Sequence, residues 1–141
     1  MPDWPAAPRV RARQTLRTGG ISEGPYASLN LGAHVGDAPE AVTANRRRLA
    51  EQLSLPAAPR WLEQVHGCRV LDLDAEPVGA FPPAEEPEAT AASAPTRTAD
   101  GAVTRRPGVV CVVMTADCLP VLLAERHGRA VGVAHAGWRG L

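Results

Sequence analysis

The chain of 141 residues contains no lysine, because all fifteen of its basic residues are arginine. Without a lysine amine, the chain cannot form a Schiff base with a carbonyl substrate or cofactor. It also lacks the Gly-Lys-Ser/Thr sequence of a P-loop, which excludes that class of nucleotide-binding site. Basic and acidic residues balance to a formal net charge of zero, so nothing global draws the chain to nucleic acid or to an anionic membrane.

Cysteines and long apolar runs are also scarce. The three cysteines, Cys68, Cys111 and Cys118, are odd in number and match no disulfide framework, which favours a reducing compartment. The opening residues, MPDWPAAPRVRARQ, contain no apolar signal-peptide core, and no apolar run approaches the length of a membrane span. We therefore expect a cytoplasmic protein with no membrane or nucleic-acid partner.

The pattern of apolar residues predicts a single α/β (α+β) domain over residues 1–141, with a mixed β-sheet and flanking helices. The segment PRVRARQTLRTGGIS alternates weakly and predicts a strand that ends at Gly19-Gly20. PRWLEQVHGCRVLDLD predicts a strand, a turn and a second strand, and the β-branched run GVVCVVMT predicts a central strand. PVLLAE and RAVGVAH predict two more strands around the turn RHG. Residues at about 75–98 are rich in Ala, Pro and Glu and predict a flexible insertion.

One helix is predicted between Asp37, as its N-cap, and Pro56. Val42, Leu49 and Leu53 fall on one face of that helix and should be buried. The arginine triplet 46–48 is expected to form a solvated face.

Three side chains that favour soft metals lie at or near predicted strand ends. They are His66 in EQVHGC, Cys118 in TADCLP and His135 in VAHAGW. Two imidazoles and a thiolate suit zinc and also copper, and three protein ligands leave a fourth position open, as in catalytic zinc sites. The spacing itself matches no short metal signature, and on spacing alone ordinary strand-end histidines and a small core cysteine are the commoner explanation.

Cys118 has a second possible role as a nucleophile. His66 or His135 would act as its base, and the neighbouring Asp117 would orient that base. Residue types alone do not separate a thiolate ligand from a thiolate nucleophile. Cys111, within an apolar run, is expected to be inert core, and Cys68 incidental.

Three further polar residues are candidate substrate contacts. Arg17 precedes a Gly-Gly turn and Arg139 lies in a glycine-flanked turn, where either could bind phosphate or carboxylate. Asn30, within SLNLG, could bind substrate, although turn formation is its commoner role.

Five stretches occur here in one order: RTGGISEGPYASLNLGAHVGD, WLEQVHG, ADGAVT, VMTADCLPVLL and AHAGWRGL. Together they resemble the YfiH-like laccase-domain family, long labelled multicopper polyphenol oxidoreductases. Its members are generally regarded as purine nucleoside phosphorylases with adenosine deaminase side activity. The resemblance covers the chain except for the Ala/Pro/Glu insertion.

The resemblance implies one zinc ion, with copper as the alternative, bound by His66, Cys118 and His135. It also implies that Arg17 and Asn30 line the substrate pocket. We further expect His66 and Cys118 to take part in catalysis, and Arg139 to join Arg17 and Asn30 in contacting a purine nucleoside and phosphate. Family members continue beyond GWRG, so the resemblance also implies a chain truncated at its C-terminus. A copper-dependent phenol oxidase and an inactive truncated remnant remain the alternative functions.

Overall fold

The computed structural model of the protein describes residues 4–75 and 97–138. These residues form a mixed α/β structure. Its elements are a short 3-10 turn at Gly24–Tyr26, the helix α1 at Pro39–Gln52, and the strands β1 at Val70–Asp72, β2 at Gly101–Thr104, β3 at Leu119–Ala124 and β4 at Val131–Ala136. No helix in this part of the chain is both long and apolar enough to cross a bilayer.

The four strands form one sheet in the order β1-β2-β4-β3. β1 and β2 run parallel, and β4 is antiparallel to both β2 and β3. β3 and β4 are joined by the predicted RHG turn, in which the Gly128 N–H donates to the Glu125 carbonyl. The mixed sheet is therefore as predicted, and α1 is the α-helix among the described residues.

The core lies on one side of this sheet. It is built from Leu62, Leu71, Leu73, Ala99, Ala102 and Val133, with Val109, Cys111, Val113 and Leu122 packed against it. Burial raises the pKa of the Cys111 thiol to about 11. A thiol held neutral in this way fits the inert role expected of Cys111.

The predicted central strand GVVCVVMT is wrong. Residues 108–115 run along the core without forming a strand, and their one bridge joins Cys111 to Arg60. The main chain of Met114 is instead bound by a side chain: the Gln64 amide accepts from its N–H at 2.7 Å and donates to its carbonyl at 2.8 Å. Val109, Cys111 and Val113 of this run pack against the core while partly buried, and that packing does not require a β-ladder.

Two other predicted strands also differ. Residues 9–16 form no strand, and Leu16 is 77% exposed, so the weak alternation there has no apolar face to bury. The first half of PRWLEQVHGCRVLDLD forms only isolated bridges, at Arg60 and Glu63, while its second half forms β1.

The predicted helix is present, but its start and one face differ from the prediction. The N-cap is Ala38 and not Asp37, whose carboxylate accepts from Ser22 and Asn30 as well as from the Ala38 N–H. Val42 and Leu49 are buried as predicted, whereas Leu53 is only half-buried. Arg46 is also buried, because its Nε donates to the Leu31 carbonyl and its guanidinium lies 4.3 Å from the Trp61 ring centre. Only Arg47 and Arg48 of the triplet are exposed.

Most of the predicted flexible insertion, residues 76–96, lies outside the described residues. At the end of that stretch, Thr98 bridges to Glu63, and its hydroxyl donates to the Glu63 carboxylate.

Candidate metal centre

The sheet register brings two of the candidate ligands to one end of the β3–β4 hairpin. His135 lies in β4 opposite Pro120, and Leu119 pairs with Ala136. Cys118 directly precedes Leu119, so it lies beside the end of β4 that carries His135. Antiparallel pairing thus converts a separation of seventeen positions into spatial proximity.

His66 reaches the same place from the turn that precedes β1. The Cys118 Sγ lies 3.7 Å from the His66 Nε2, and the His66 and His135 rings meet edge to face with their centres 4.6 Å apart. One ligand atom from each of His66, Cys118 and His135 lies within 4.8 Å of the others. These three positions are therefore brought together by the fold.

The donor set fits a zinc ion. Zn–S and Zn–N bonds of about 2.3 and 2.0 Å at a tetrahedral angle place sulfur and nitrogen roughly 3.5 Å apart. The 3.7 Å between the Cys118 Sγ and the His66 Nε2 is close to that distance. Two imidazoles and a thiolate also bind copper, so the donors select a class of soft metal and not one element.

A carboxylate behind the histidines fixes the position of His135. The Asp100 Oδ1 lies 2.9 Å from the His135 Nδ1, and the two side chains are 3% and 4% exposed. The His135 N–H also donates to the Asp100 carbonyl at 2.7 Å. With Nδ1 directed to Asp100, the atom that His135 presents to the cluster is Nε2.

The same carboxylate holds the turn that carries His66. It accepts the main-chain N–H groups of Val65, His66 and Gly67 at 3.1, 2.9 and 2.7 Å. His66 lies in the left-handed region, with φ of 59°, which costs a non-glycine residue about 1–2 kcal/mol. The three hydrogen bonds to Asp100 stabilise that conformation.

Opposing effects act on the pKa of the Asp100 carboxyl. Burial raises the pKa of its carboxyl, but hydrogen bonds from His135 and from the Gly67, Val65 and His66 amides outweigh burial and leave the pKa below its usual value. A buried carboxylate with four hydrogen-bond donors is electrostatically satisfied.

Close packing of the β4 end limits the space around His66. A Cβ on Gly137 would lie 3.2 Å from the His66 Cδ2, which is tighter than ordinary contact. Glycine at this position lets the chain pass beside the imidazole.

The contact that the structure shows for the Asp117 side chain is with Cys118 and not with either histidine. Its Oδ1 lies 3.7 Å from the Cys118 Sγ, and the carboxylate that orients a histidine of the cluster is Asp100. The contact by which Asp117 would orient a histidine base is therefore made in this structure by Asp100.

The candidate substrate contacts Arg17 and Asn30 are held within the loop that precedes α1. The Arg17 guanidinium donates twice to the Ala27 carbonyl, at 2.9 and 3.1 Å. The Asn30 amide donates to Gly32 and to the Asp37 carboxylate. These contacts organise the loop, which is the turn-forming role considered for Asn30. Arg139 lies outside the described residues.

Sequence reasoning missed Asp100 and Gln64. A signal for Asp100 was present: a ligating histidine usually donates its second N–H to a carboxylate, and ADG stands directly before a strand. Gln64 gave no such signal, because its use depends on the Met114 main chain fifty residues away.

Comparison with known protein families gives a match over residues 11–141 to the family described as multi-copper polyphenol oxidoreductase laccase. Curated relatives include a purine nucleoside phosphorylase of Pseudomonas aeruginosa, 49% identical over 99% of this chain and 50% of its own length. Another is the purine nucleoside phosphorylase YfiH of Escherichia coli, 48% identical over the whole of this chain and 51% of its own. The chain thus spans about half the length of these relatives.

Solved structures give the same result. A Neisseria meningitidis protein of the DUF152 family superposes with a TM-score of 0.75 at 46% identity, covering 98% of this chain and 50% of that one. The YfiH protein of Bacillus licheniformis superposes with a TM-score of 0.72 at 32% identity, covering 88% of this chain and 44% of that one.

Proposed function

The chain belongs to the multi-copper polyphenol oxidoreductase laccase family, and on that premise we propose that it is a zinc-dependent purine nucleoside phosphorylase with adenosine deaminase activity at the same site. Relatives 48–49% identical to it carry the name purine nucleoside phosphorylase. The observation that carries the proposal is the convergence of His66, Cys118 and His135 within 4.8 Å.

His66, Cys118 and His135 are the proposed zinc ligands, through two imidazole nitrogens and one thiolate. When bound, zinc supplies Lewis acidity toward an oxygen of phosphate, water or substrate. Phosphorolysis forms a bond between a phosphate oxygen and the ribose C1′ and breaks the bond from C1′ to the purine. Deamination adds water at the purine C6 and releases ammonia.

The remaining proposed roles belong to binding groups. Arg17, whose guanidinium is exposed, would contact the phosphate or the sugar, and Arg139 would add a second positive charge. Asn30 would hydrogen-bond the nucleoside. The anchoring of Arg17 to the Ala27 carbonyl limits its freedom, so less side-chain entropy is lost when it binds an anion.

The family description also raises copper-dependent phenol oxidation. An oxidase that reduces dioxygen to water needs several copper centres. Among residues 4–75 and 97–138, the side chains supply one group of three His, Cys or acidic ligands of this kind. One mononuclear site favours zinc and nucleoside chemistry.

The test is release of free base from inosine and adenosine by the purified protein loaded with zinc, with and without phosphate. We expect base release that depends on phosphate, and a loss of about 100-fold or more in His135→Ala and Cys118→Ser. His127→Ala is the matched control, since His127 lies in the exposed β3–β4 turn, and it should retain wild-type turnover.

Zinc-loaded protein that releases neither base nor ammonia would contradict the proposal. Stoichiometric copper in protein purified without added copper, together with turnover of a phenol, would replace it with the oxidase.

A further inference from the structure

Asp100 contacts both histidines of the cluster through one carboxylate. Its Oδ1 receives the His135 Nδ1 and the His66 N–H, both at 2.9 Å. Its Oδ2 receives the N–H groups of Gly67 and Val65, at 2.7 and 3.1 Å. Each oxygen therefore accepts two hydrogen bonds, and all four come from His135 or from the turn that carries His66.

We propose that Asp100 is the positioning residue of the metal centre, setting the tautomer of His135 and the backbone turn of His66 at the same time. The inference deepens the proposed zinc site and rests on it. A neutral histidine has one N–H and one bare nitrogen, and the hydrogen bond made by one nitrogen decides which is which. The Asp100 Oδ1 already accepts the His66 N–H and faces the His135 Nδ1, so Nδ1 is the nitrogen that carries the proton and Nε2 keeps the lone pair that a metal needs.

The same bonds hold His66 in a conformation that its own sequence disfavours. His66 has a left-handed φ of 59°, and its N–H and those of its two neighbours all end on Asp100. Loss of these acceptors releases the turn and moves the His66 Nε2 away from the Cys118 Sγ. One residue thus controls the geometry of two proposed ligands without being a ligand itself.

Asparagine is the sharpest substitution, because it keeps the shape of Asp100 and replaces one acceptor oxygen by a donor NH2. If the NH2 faces His135, then Nδ1 must accept, the proton moves to Nε2, and Nε2 can no longer bind metal. If the NH2 faces Val65 and Gly67, it opposes two N–H donors and the His66 turn opens. Both orientations of Asp100→Asn therefore damage the centre.

The experiment measures zinc affinity by competition with a chromophoric chelator, for the wild type, Asp100→Asn and Asp74→Asn. Asp74 is a matched control: its carboxylate also accepts a main-chain N–H, from Arg105, and a side-chain donor, Thr104, away from the cluster. We expect Asp100→Asn to weaken zinc binding 10- to 100-fold and Asp74→Asn to change it less than about threefold. Equal affinity in Asp100→Asn and wild type, or equal losses in both variants, would overturn the proposal.

A second measurement uses the wild-type protein alone and does not depend on whether a variant folds. In metal-free wild-type protein, ¹⁵N NMR of the imidazoles should show His135 with its proton on Nδ1 when it is neutral. A neutral His135 protonated on Nε2 would overturn the proposal. This signal does not depend on zinc, so a wild-type protein that binds no zinc would reject the metal site while the tautomer still reports on Asp100.

Discussion

Asn45 shows how one buried polar residue ties α1 to the loop that precedes it. Its side chain is fully buried. Its Oδ1 accepts the Ile21 N–H at 2.8 Å, and its Nδ2 donates to the Ser22 hydroxyl and the Asn30 carbonyl at 2.8 and 2.9 Å. The loop that contains Arg17 and Asn30 thereby takes its shape from a helix side chain.

Replacing Asn45 by leucine should lower the free energy of unfolding by about 3 kcal/mol, because buried donors and acceptors of the loop lose their partners. Urea unfolding of the variant against wild type measures the difference. Arg47→Ala is the control: its ion pair with Glu51 is 3.9 Å long and exposed, so its removal should cost less than about 0.5 kcal/mol. Similar losses in both variants would show that the network contributes no special stability.

At the residue scale, the sequence indicates which side chains stand on a buried face, but it does not indicate their hydrogen-bond partners. Asn45 follows Val42 by one helical turn and precedes Leu49 by another, so it stands on the face that the apolar pattern assigns to the core. The apolar pattern shows that a polar residue stands on the buried face, but it does not identify the groups that form hydrogen bonds with that residue. The same limit hid Asp100, whose four donors come from two distant segments.

At the scale of elements, the parallel pair β1–β2 is stabilised at one end by charge. Asp74, just beyond β1, accepts the Thr104 hydroxyl and the Arg105 N–H and forms ion pairs with Arg105 and Arg106. The hydrogen bond from Thr104 is the largest cause that lowers the pKa of Asp74, to about 2 against an ordinary value of 3.8.

This pKa predicts a specific loss of stability in acid. A carboxyl whose folded pKa is depressed stabilises the fold fully above its unfolded pKa, and that contribution disappears as the pH falls from about 4 to about 2. Unfolding free energies of wild type and Asp74→Asn, measured from pH 6 to pH 2, should therefore converge across that window. A difference between them that stays constant down to pH 2 would contradict the assigned pKa.

Strand prediction succeeded where pairing is local and failed where it is not. The β3–β4 hairpin follows from two apolar runs around the turn at RHG, and α1 from its helical period. The run GVVCVVMT was predicted as a central strand, but it forms a single bridge, from Cys111 to Arg60, and Gln64 occupies the main-chain groups of Met114. A side chain that binds main-chain groups from fifty residues away leaves no signal in the local apolar pattern.

At the scale of the whole molecule, the family resemblance placed His66, Cys118 and His135 in one site, which their spacing could not do. The sheet explains why spacing is uninformative. Cys118 and His135 meet through the register of β3 and β4, while His66 arrives from a turn before β1. Only the folded topology defines such a cluster.

The sheet also has a second face, which carries the last prediction. Leu71, Ala102, Val133 and Leu122 pair across the sheet and point to the core. Side chains alternate along a strand, so Val70, next to Leu71, and Leu123, next to Leu122, point to the other side. Val70 and Leu123 are 56% and 58% exposed. Together with Gly132, which has no side chain, they line an open apolar groove of about 300 Å³.

This groove should bind an environment-sensitive apolar dye, since exposed apolar surface is favourable to cover. Leu123→Gln should reduce the dye fluorescence of the 141-residue chain at least twofold, with no loss of cooperative unfolding. Leu16→Gln is the control, because Leu16 is even more exposed, at 77%, but does not line the groove. Equal fluorescence losses in the two variants would show that the dye reports scattered surface residues and not this face, and no binding by wild type would show that the face is covered in solution.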